Sequence, residues 1–253
     1  MTTRQIPTHP TRFAVRDPRQ SWYGEDIGIL ILDAAYPCVP GNVGNASSFP
    51  FPVRYQEVEG ASIDRLLNQA DPSLAAPFIA AAQALEARGV RAISGACGFM
   101  ALFQKQVAAA VSIPVGLSSL IQLPLIHALC GRSVGIITAN AARLTDRHFD
   151  GCSVPSNLPR VIRGMEGCDE FRSAILEEKG TLDSTRIEAE VTGVARALCA
   201  DHPEVRAILL ECSDLPPYAA AIQGETGLPV YDFNTLIRFL RDGARQRAYS
   251  GFM

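Results

Sequence analysis

Ser94–Gln104 reads SGACGFMALFQ, a stretch in which an apolar strand pattern gives way to a helical pattern. Cys97 lies at this corner between two small residues, Ala96 and Gly98. In parallel α/β sheets, ligands bind beyond the carboxyl ends of the strands, where helices start. The positive end of such a helix favours a thiolate. The stretch predicts a parallel α/β fold and leaves two interpretations of Cys97, a thiol that packs or one that reacts.

The rest of the chain alternates strand and helix patterns in the same way. Ile27–Asp33, IGILILD, is a continuous apolar run of the kind found in parallel strands buried on both faces. Ala75–Arg88 is alanine-rich and helical, and Gly89 follows it as a C-cap. The other predicted strands are Val53–Val58, Ala92–Ala96, Ile113–Leu117, Val134–Thr138, Arg160–Gly164, Val205–Glu211 and Pro229–Asp232. The other predicted helices are Phe99–Val111, Ile121–Leu129, Ala141–Phe149, Cys168–Glu178, Ser184–Ala200, Tyr218–Gly224 and Thr235–Tyr249.

This alternation predicts an α/β fold with two pseudo-symmetric lobes, each a roughly four-stranded parallel sheet flanked by helices. We place lobe 1 in residues 1–119, with residues 1–25 as a flexible arm, and lobe 2 in residues 120–231. The closing helix in residues 232–253 is expected to join lobe 1. With 253 residues, the chain is long enough to bury its core without disulfides or metals.

Composition and charge exclude several functions. A net charge of -3 gives no basic surface for nucleic acid, and the apolar runs are far shorter than the ~20 residues of a membrane helix. The first residues, MTTRQIPTHPTRFAVRDPRQ, lack the apolar stretch of a secretory signal. Seven cysteines, an odd number without CxxC spacing, argue for reduced thiols and against a metal site. We expect a cytoplasmic protein that binds no nucleic acid, membrane or metal.

Cofactor motifs are absent from the sequence. The chain has only two lysines, Lys105 and Lys179, which argues against a pyridoxal-phosphate Schiff base. Gly41–Gly44 reads GNVG rather than GxGxxG, and neither a P-loop motif nor GxSxG occurs. We therefore expect no cofactor.

A second cysteine occupies the matching corner in the other half of the chain. Cys212 follows the predicted strand Val205–Glu211 in the stretch LLECSDLPPY, and Ser213 opens the turn as Gly98 does after Cys97. Two thiols that face each other across a cleft, one ionised and one protonated, can remove a proton from one face of a carbon acid and return it to the other. The paired positions favour chemistry over packing for both cysteines.

Hydrogen-bond donors are expected beside these thiols, because negative charge develops on the substrate when its proton leaves. Backbone amides at the two predicted helix starts can serve, and they belong to Gly98, Phe99, Ser213 and Asp214. Side-chain donors that follow other strands or lie in the long loop are Asn45, Thr138, Asn140 and Ser213. Asn140 fits equally well as the N-cap of a helix that begins at Ala141.

The segments SGACGFM around Cys97 and LLECSDLPP around Cys212 resemble the aspartate/glutamate racemase superfamily, which includes hydantoin racemases, maleate isomerases and arylmalonate decarboxylases. The resemblance extends from Ile27 to about Asp232. It implies a site between two lobes, catalysis without a cofactor by two cysteines that act as acid and base, and a homo-oligomer. Asp33 resembles the aspartate that follows the first strand in glutamate racemases, which implies contact with an amino group.

The chain departs from the glutamate racemase pattern after each cysteine. Those enzymes carry Asn-Thr after the first cysteine and Thr-His after the second, whereas this chain has Gly98-Phe99 and Ser213-Asp214. The change argues against glutamate as the substrate, and Phe99 suggests a less polar one. The decarboxylase branch lacks the first cysteine, so the presence of both cysteines favours racemisation or isomerisation over decarboxylation.

We predict a cofactor-independent racemase or epimerase that acts on a small carboxylate or amino-acid derivative, with Cys97 and Cys212 as catalytic residues. Two alternatives stay open. One is a lyase, decarboxylase or cis–trans isomerase of the same superfamily that uses covalent cysteine chemistry. The other is a binding protein for small molecules without turnover, which solvent-deuterium incorporation into the ligand would distinguish from an enzyme.

Overall fold

In a computed structural model, which describes residues 14–15 and 20–253, the chain forms two four-stranded parallel sheets. The first has the order β2-β1-β3-β4 and the second has the equivalent order β6-β5-β7-β8. The strands are β1 Ile27–Asp33, β2 Val53–Ser62, β3 Ala92–Gly95, β4 Val115–Gly116, β5 Ser133–Thr138, β6 Arg160–Gly164, β7 Val205–Leu210 and β8 Val230–Tyr231. The helices are α1 Ala75–Arg88, α2 Gln104–Ala110, α3 Leu123–Cys130, α4 Asp146–Gly151, α5 Asp169–Phe171, α6 Ser184–Asp201, α7 Ala219–Thr226 and α8 Phe233–Ala244. The predicted fold class is confirmed.

We refer to the halves of the chain around the two sheets as lobe 1 and lobe 2. A helix packs against the first strand of each sheet in the same way. In each lobe the first strand carries a glycine where a helix leucine packs closely. A Cβ at Gly28 in β1 would lie 2.7 Å from Leu85 of α1, and a Cβ at Gly135 in β5 would lie 2.7 Å from Leu198 of α6. Because glycine has no side chain, each helix approaches its sheet closely and buries an apolar face there.

The last helix packs back on the first sheet. Helix α8 contacts β3 and β4 of lobe 1, as well as β8 of lobe 2. Its N-terminus is fixed by a capping box in which Asp232 accepts from the Thr235 amide and Thr235 accepts from the Asp232 amide. Phe233 and Ile237 are fully buried. The helix begins earlier and ends earlier than the predicted Thr235–Tyr249.

The segment after β5 becomes helical later than predicted. Helix α4 begins at Asp146 because Thr145 and His148 form a capping box there. The residues between β5 and Thr145 form turns. Asn140 therefore does not cap a helix at Ala141, and the predicted boundary was wrong.

Four other predicted boundaries also shift. Gly98–Phe103 is a 3₁₀ segment ahead of α2, where one continuous helix was predicted. The strand β2 extends to Ser62, β4 is two residues long, and α7 follows a 3₁₀ turn over Pro216–Tyr218. Choices between 3₁₀ and α turns depend on tertiary packing, which local sequence patterns do not record.

Two short π-helices occupy equivalent places in the two lobes. Asp64–Asn68 follows β2, and Arg172–Leu176 follows β6 and α5. Each is followed by a residue other than glycine in the left-handed region, Ala70 at φ 47° and Glu178 at φ 51°. Left-handed backbone is costly for residues with a Cβ, so it marks segments under structural or functional constraint.

Part of the predicted flexible arm is anchored. Gln20 is buried, and its side-chain amide donates to the Arg88 carbonyl. The guanidinium of Arg54 lies 5.2 Å from the ring centroid of Trp22. The remainder of the predicted arm, residues 1–13 and 16–19, lies outside the described residues. Among the described helices, none combines the length and apolarity that a membrane crossing needs.

Candidate active site

The two cysteine corners meet at one cavity of about 30 Å³, which we call the thiol cavity. Cys97 follows β3 and Cys212 follows β7, so the equivalent strand ends of the two lobes supply one thiol each. The cavity is lined from lobe 1 by Leu32, Tyr36, Ile63, Leu67, Ala96, Cys97, Gly98 and Phe99, and from lobe 2 by Ala139, Ile175, Leu176, Glu211, Cys212, Ser213 and Asp214.

Cys97 lies at the start of the 3₁₀ segment Gly98–Phe103 with an extended backbone. Burial and the nearby Glu211 carboxylate raise the pKa of its thiol, whereas the backbone amides of Phe99 and Met100 donate toward the sulfur and lower the pKa. The amide of Phe99 was predicted as a donor at this corner, and that of Met100 was not. The corner therefore presents amide donors where negative charge can be held.

Cys212 is paired with a carboxylate. Its Sγ donates to Asp214 Oδ2 at 3.4 Å. Burial and Asp214 raise the pKa of the Cys212 thiol well above its ordinary value, and the Asp214 amide opposes that shift. Burial also raises the pKa of Asp214, against hydrogen bonds from Asn42, Cys212 and Tyr36. A thiol and a proton acceptor thus lie in direct contact inside the protein.

The loop between β1 and β2 completes this arrangement. Asn42 Nδ2 donates to Asp214 Oδ1 at 2.7 Å, and the Tyr36 hydroxyl donates to Asp214 Oδ2 at 3.4 Å. The Ser213 hydroxyl donates to the Ala96 carbonyl at 2.7 Å, which ties the two corners together. The long, ordered loop therefore holds the Asp214 carboxylate in place beside Cys212.

Glu211 is the most unusual residue at the cavity because its carboxylate is fully buried. Thr138 Oγ1 donates to its Oε2 at 2.7 Å, while Oε1 has no hydrogen-bond partner among the described residues. Burial raises the pKa of Glu211 to about 7, and the Thr138 hydrogen bond opposes the shift. A Cβ at Gly98 would overlap this carboxylate, so an asparagine at position 98 would have no room. This accounts for the departure from the glutamate racemase pattern.

The charged side chains that line the thiol cavity are all acidic. Its lining includes the carboxylates of Glu211 and Asp214 and the rings of Tyr36 and Phe99, and among the described lining residues there is no arginine, lysine or histidine. The described residues also contain no cluster of three or more His, Cys, Asp or Glu that could hold a metal ion. Such a lining favours a ligand that carries a positive charge next to its apolar part.

The two π-helices supply part of the apolar wall. Ile63 and Leu67 line the cavity from lobe 1, and Ile175 and Leu176 line it from lobe 2. Tyr36 also borders a second cavity of about 250 Å³, which we call the loop cavity. The loop cavity is lined by Ile31, Leu32, Ala34, Tyr36, Cys38, Asn42, Gly44, Tyr55 and Ala96, so it adjoins the thiol cavity through shared residues.

Six predicted site residues line the thiol cavity, and four do not. Those at the cavity are Cys97, Gly98, Phe99, Cys212, Ser213 and Asp214. Asn45 caps the turn Ala46–Ser48 and donates to the Cys38 carbonyl. Thr138 reaches the site only through Glu211, and Asn140 Oδ1 is buried without a partner among the described residues. Asp33 lies exposed at the end of β1.

Three polar side chains at the site were not predicted from the sequence, namely those of Tyr36, Asn42 and Glu211. Glu211 had a readable signal, because an acidic residue at the end of the buried run AILLEC is unusual in a strand. Tyr36 and Asn42 lie in a loop without periodicity, and no local pattern indicates which loop side chains point inward.

No protein-family model matches the chain. The chain is 34% identical over 214 residues to a dimethylsulfoniopropionate lyase of Durusdinium sp. clade D, covering 81% of this chain and 70% of that protein. It is 31% identical over 236 residues to dimethylsulfoniopropionate lyase 3 of Emiliania huxleyi, covering 87% of this chain and 61% of that protein. The chain therefore spans less than two thirds of the length of this second relative.

Solved structures share the architecture at low identity. Unliganded arylmalonate decarboxylase has a TM-score of 0.58 with 16% identity, covering 88% of this chain and 94% of that chain. Allantoin racemase from Pseudomonas fluorescens has a TM-score of 0.60 with 14% identity, covering 86% of this chain and 89% of that chain. At these identities the likeness shows the fold alone.

The chain thus has the fold of the aspartate/glutamate racemase superfamily, which confirms the predicted resemblance. Within that fold it belongs to the family of the dimethylsulfoniopropionate lyases. These relatives are named as lyases rather than racemases, so their names do not support the isomerase activity predicted from the sequence.

Proposed function

We propose that the chain is a cofactor-independent lyase that removes the α-proton of a small carboxylate and expels a leaving group from the β-carbon. The candidate substrate is dimethylsulfoniopropionate, the substrate named for its relatives. The observation that carries the proposal is the hydrogen bond from Cys212 to Asp214 inside the thiol cavity. In this bond the thiol that would become the base is in direct contact with a group that can accept its proton.

The first step is transfer of the Cys212 proton to Asp214. This transfer moves a charge within the pair without adding one to the buried cavity, so burial does not oppose it as it opposes ionisation of an isolated thiol. The hydrogen bonds from Asn42 and Tyr36 keep the Asp214 carboxylate oriented toward the sulfur. Cys212 is therefore the base in this proposal, and Asp214 is the residue that makes it available.

The second step is the elimination. The Cys212 thiolate takes the α-hydrogen as a proton, and the electron pair of the broken C–H bond forms the double bond between the α- and β-carbons. The bond from the β-carbon to sulfur breaks, and its electrons leave with dimethyl sulfide. Acrylate remains, the Cys212 thiol is restored, and Asp214 releases its proton to solvent.

Negative charge builds up on the substrate carboxylate during proton removal. The amides of Phe99 and Met100, which face the Cys97 sulfur, are suited to bind this charge. They act from the lobe opposite the base, so the substrate would lie between the two cysteine corners.

Substrate binding requires the walls of the thiol cavity to move. A volume of about 30 Å³ holds only two or three water molecules at about 10–15 Å³ each, which is less than this substrate needs. The loop cavity of about 250 Å³ shares Leu32, Tyr36 and Ala96 with the thiol cavity and offers the missing space. Rotation of the Tyr36 side chain would join the two cavities.

Racemisation is the second candidate function, because both Cys97 and Cys212 line the same cavity. It shares the first proton removal with the lyase reaction, and Cys97 would then return a proton to the other face. The two functions differ in what they require: racemisation in both directions needs both thiols, whereas elimination needs only the base.

The test is headspace gas chromatography of dimethyl sulfide, with acrylate measured in the same samples. We expect equimolar products from the wild type and a loss of about 10²-fold or more in Cys212→Ser and Asp214→Asn, the usual range for a missing general base. Cys97→Ser should retain most of the activity. Cys199→Ser, at a cysteine of α6 outside the cavity, is the matched control.

Two results would overturn the lyase proposal. One is the absence of both products from a folded wild type. The other is deuterium exchange and racemisation of chiral amino-acid derivatives that disappears in both cysteine variants, which would establish the racemase instead.

A further inference from the structure

Glu211 takes no part in the elimination described above, although burial of its carboxylate lowers the stability of the fold. An ionisable carboxylate without full hydrogen bonding destabilises a protein interior. Thr138 satisfies Oε2 only, and Oε1 is buried with no partner among the described residues. A buried acceptor of this kind needs an explanation, and a ligand that offsets its charge is one.

The position of Glu211 limits what that partner can be. Its carboxylate lines the thiol cavity, and its charge acts on the thiols of both Cys97 and Cys212. Gly98 has no side chain there, so the carboxylate reaches between the two corners. Both oxygens of the other carboxylate, Asp214, already accept hydrogen bonds. Glu211 is therefore the acceptor that remains open to a ligand.

We propose that Glu211 binds the positively charged group of the substrate, so that the site selects onium carboxylates, with a sulfonium or quaternary ammonium group, over carboxylates of the same shape that lack the positive charge. This inference rests on the proposed function, in which the charged group is also the leaving group. The rings of Tyr36 and Phe99 line the same cavity and can add cation–π attraction.

Binding of a cation beside Glu211 would also affect the ionisation of the Cys212 thiol. Burial, and after it the negative charges of Glu211 and Asp214, raise the pKa of both cysteine thiols and keep them protonated. A bound cation offsets those charges, and formation of a thiolate beside it becomes easier. A substrate with a positive charge would thus promote the ionisation that its own elimination requires, and an analogue without the positive charge would not.

The experiment compares two ligands that differ only in charge. β-Alanine betaine carries a trimethylammonium group, and 4,4-dimethylpentanoate has carbon in place of the nitrogen and so lacks the positive charge. Isothermal titration calorimetry on the wild type is expected to show a preference for the betaine of about tenfold or more, the range of a charge pair in a partly buried site. Glu211→Gln, which keeps the shape of the side chain, should abolish most of that preference.

The matched control is Glu59→Gln, the same chemical change at an exposed position of β2, and it should keep the wild-type preference. An unchanged preference in Glu211→Gln would overturn the inference. The measurement needs no turnover. A charge preference that depends on Glu211 without release of dimethyl sulfide therefore refutes the proposed function alone, whereas release without that dependence refutes the role of Glu211.

If Glu211→Gln does not fold, the wild type provides the test through pH. Glu211 titrates with a pKa of about 7, so the preference for the betaine should shrink as the pH falls below that value. The other ionisable groups around Glu211 are Cys97, Cys152, Cys212 and Asp214. Burial raises the pKa of all three thiols, so they stay protonated in this range. Burial also raises the pKa of Asp214, so the pH series is repeated in Asp214→Asn, where the pH dependence should remain if Glu211 causes it. A preference that is constant with pH would contradict the inference.

Discussion

Gly98→Ala is predicted to destabilise the fold, because Glu211 already occupies the place of a Cβ at residue 98. Both the carboxylate and the main-chain carbonyl of Glu211 lie inside contact distance of that Cβ. The carboxylate could rotate away only by giving up its hydrogen bond from Thr138. The carbonyl has less freedom, since the amide of the same residue donates to Ile137 in the second sheet at 2.8 Å.

The expected loss of stability is the sum of two costs. Insertion of a methyl group into a packed core costs about 1–3 kcal/mol, and loss of the Thr138 hydrogen bond adds about 1 kcal/mol. A destabilisation of roughly 2–4 kcal/mol corresponds to a fall in Tm of roughly 4–8 °C for a chain of this size, at about 2 °C per kcal/mol.

The assay is thermal unfolding followed by circular dichroism, with urea unfolding as a second measure. Gly193→Ala is the matched control, because it makes the same change inside α6 where no atom lies within 4 Å of the added Cβ. It should raise stability by about 1 kcal/mol through helix propensity. The reasoning is refuted if Gly98→Ala melts at or above the wild-type temperature.

Two further predictions concern stability. Folding raises the pKa of Glu211 from an ordinary 4.5 to about 7, so its protonated form is favoured in the native state. This contribution is fully present below pH 4.5 and is lost as the pH rises through 7, by roughly 3 kcal/mol. Urea unfolding over that pH range should show a smaller loss in Glu211→Gln, and equal losses would contradict the assignment. Ala70→Gly should relieve the left-handed backbone at φ 47° and stabilise by up to about 1 kcal/mol. Ala80→Gly inside α1 should cost about 1 kcal/mol, and calorimetry that finds both destabilising would refute the strain argument.

The elements that the sequence predicts well are those with a strong local signal. Ile27–Asp33 is a buried parallel strand, and its apolar run marks both of its ends. Ala75–Arg88 ends where predicted, because Gly89 adopts the left-handed C-cap at φ 93°. The helix predicted to begin at Ala141 begins at Asp146 instead. The capping pair Thr145 and His148, three residues apart, marks that start, whereas the prediction relied on the alanines upstream.

The site is predictable only as far as its two corners. Cys97 and Cys212 follow strands, and parallel sheets bring strand ends to a common edge. The partners of Asp214 come from the long loop, more than a hundred residues away in sequence for both Tyr36 and Asn42. A pairing of that kind depends on tertiary structure, so the sequence alone predicts a thiol pair and not the carboxylate beside each thiol.

The two π-helices described above suggest a way to redesign the protein. A π turn holds one more residue than an α turn, so deletion of a single residue from Asp64–Asn68 or from Arg172–Leu176 would restore α geometry there. Such a deletion would rotate Leu67 or Leu176 away from the cavity wall without touching either cysteine. Each lobe thus has one π-helix whose length sets the position of part of the cavity wall. The volume available to a substrate can therefore be changed from either lobe independently.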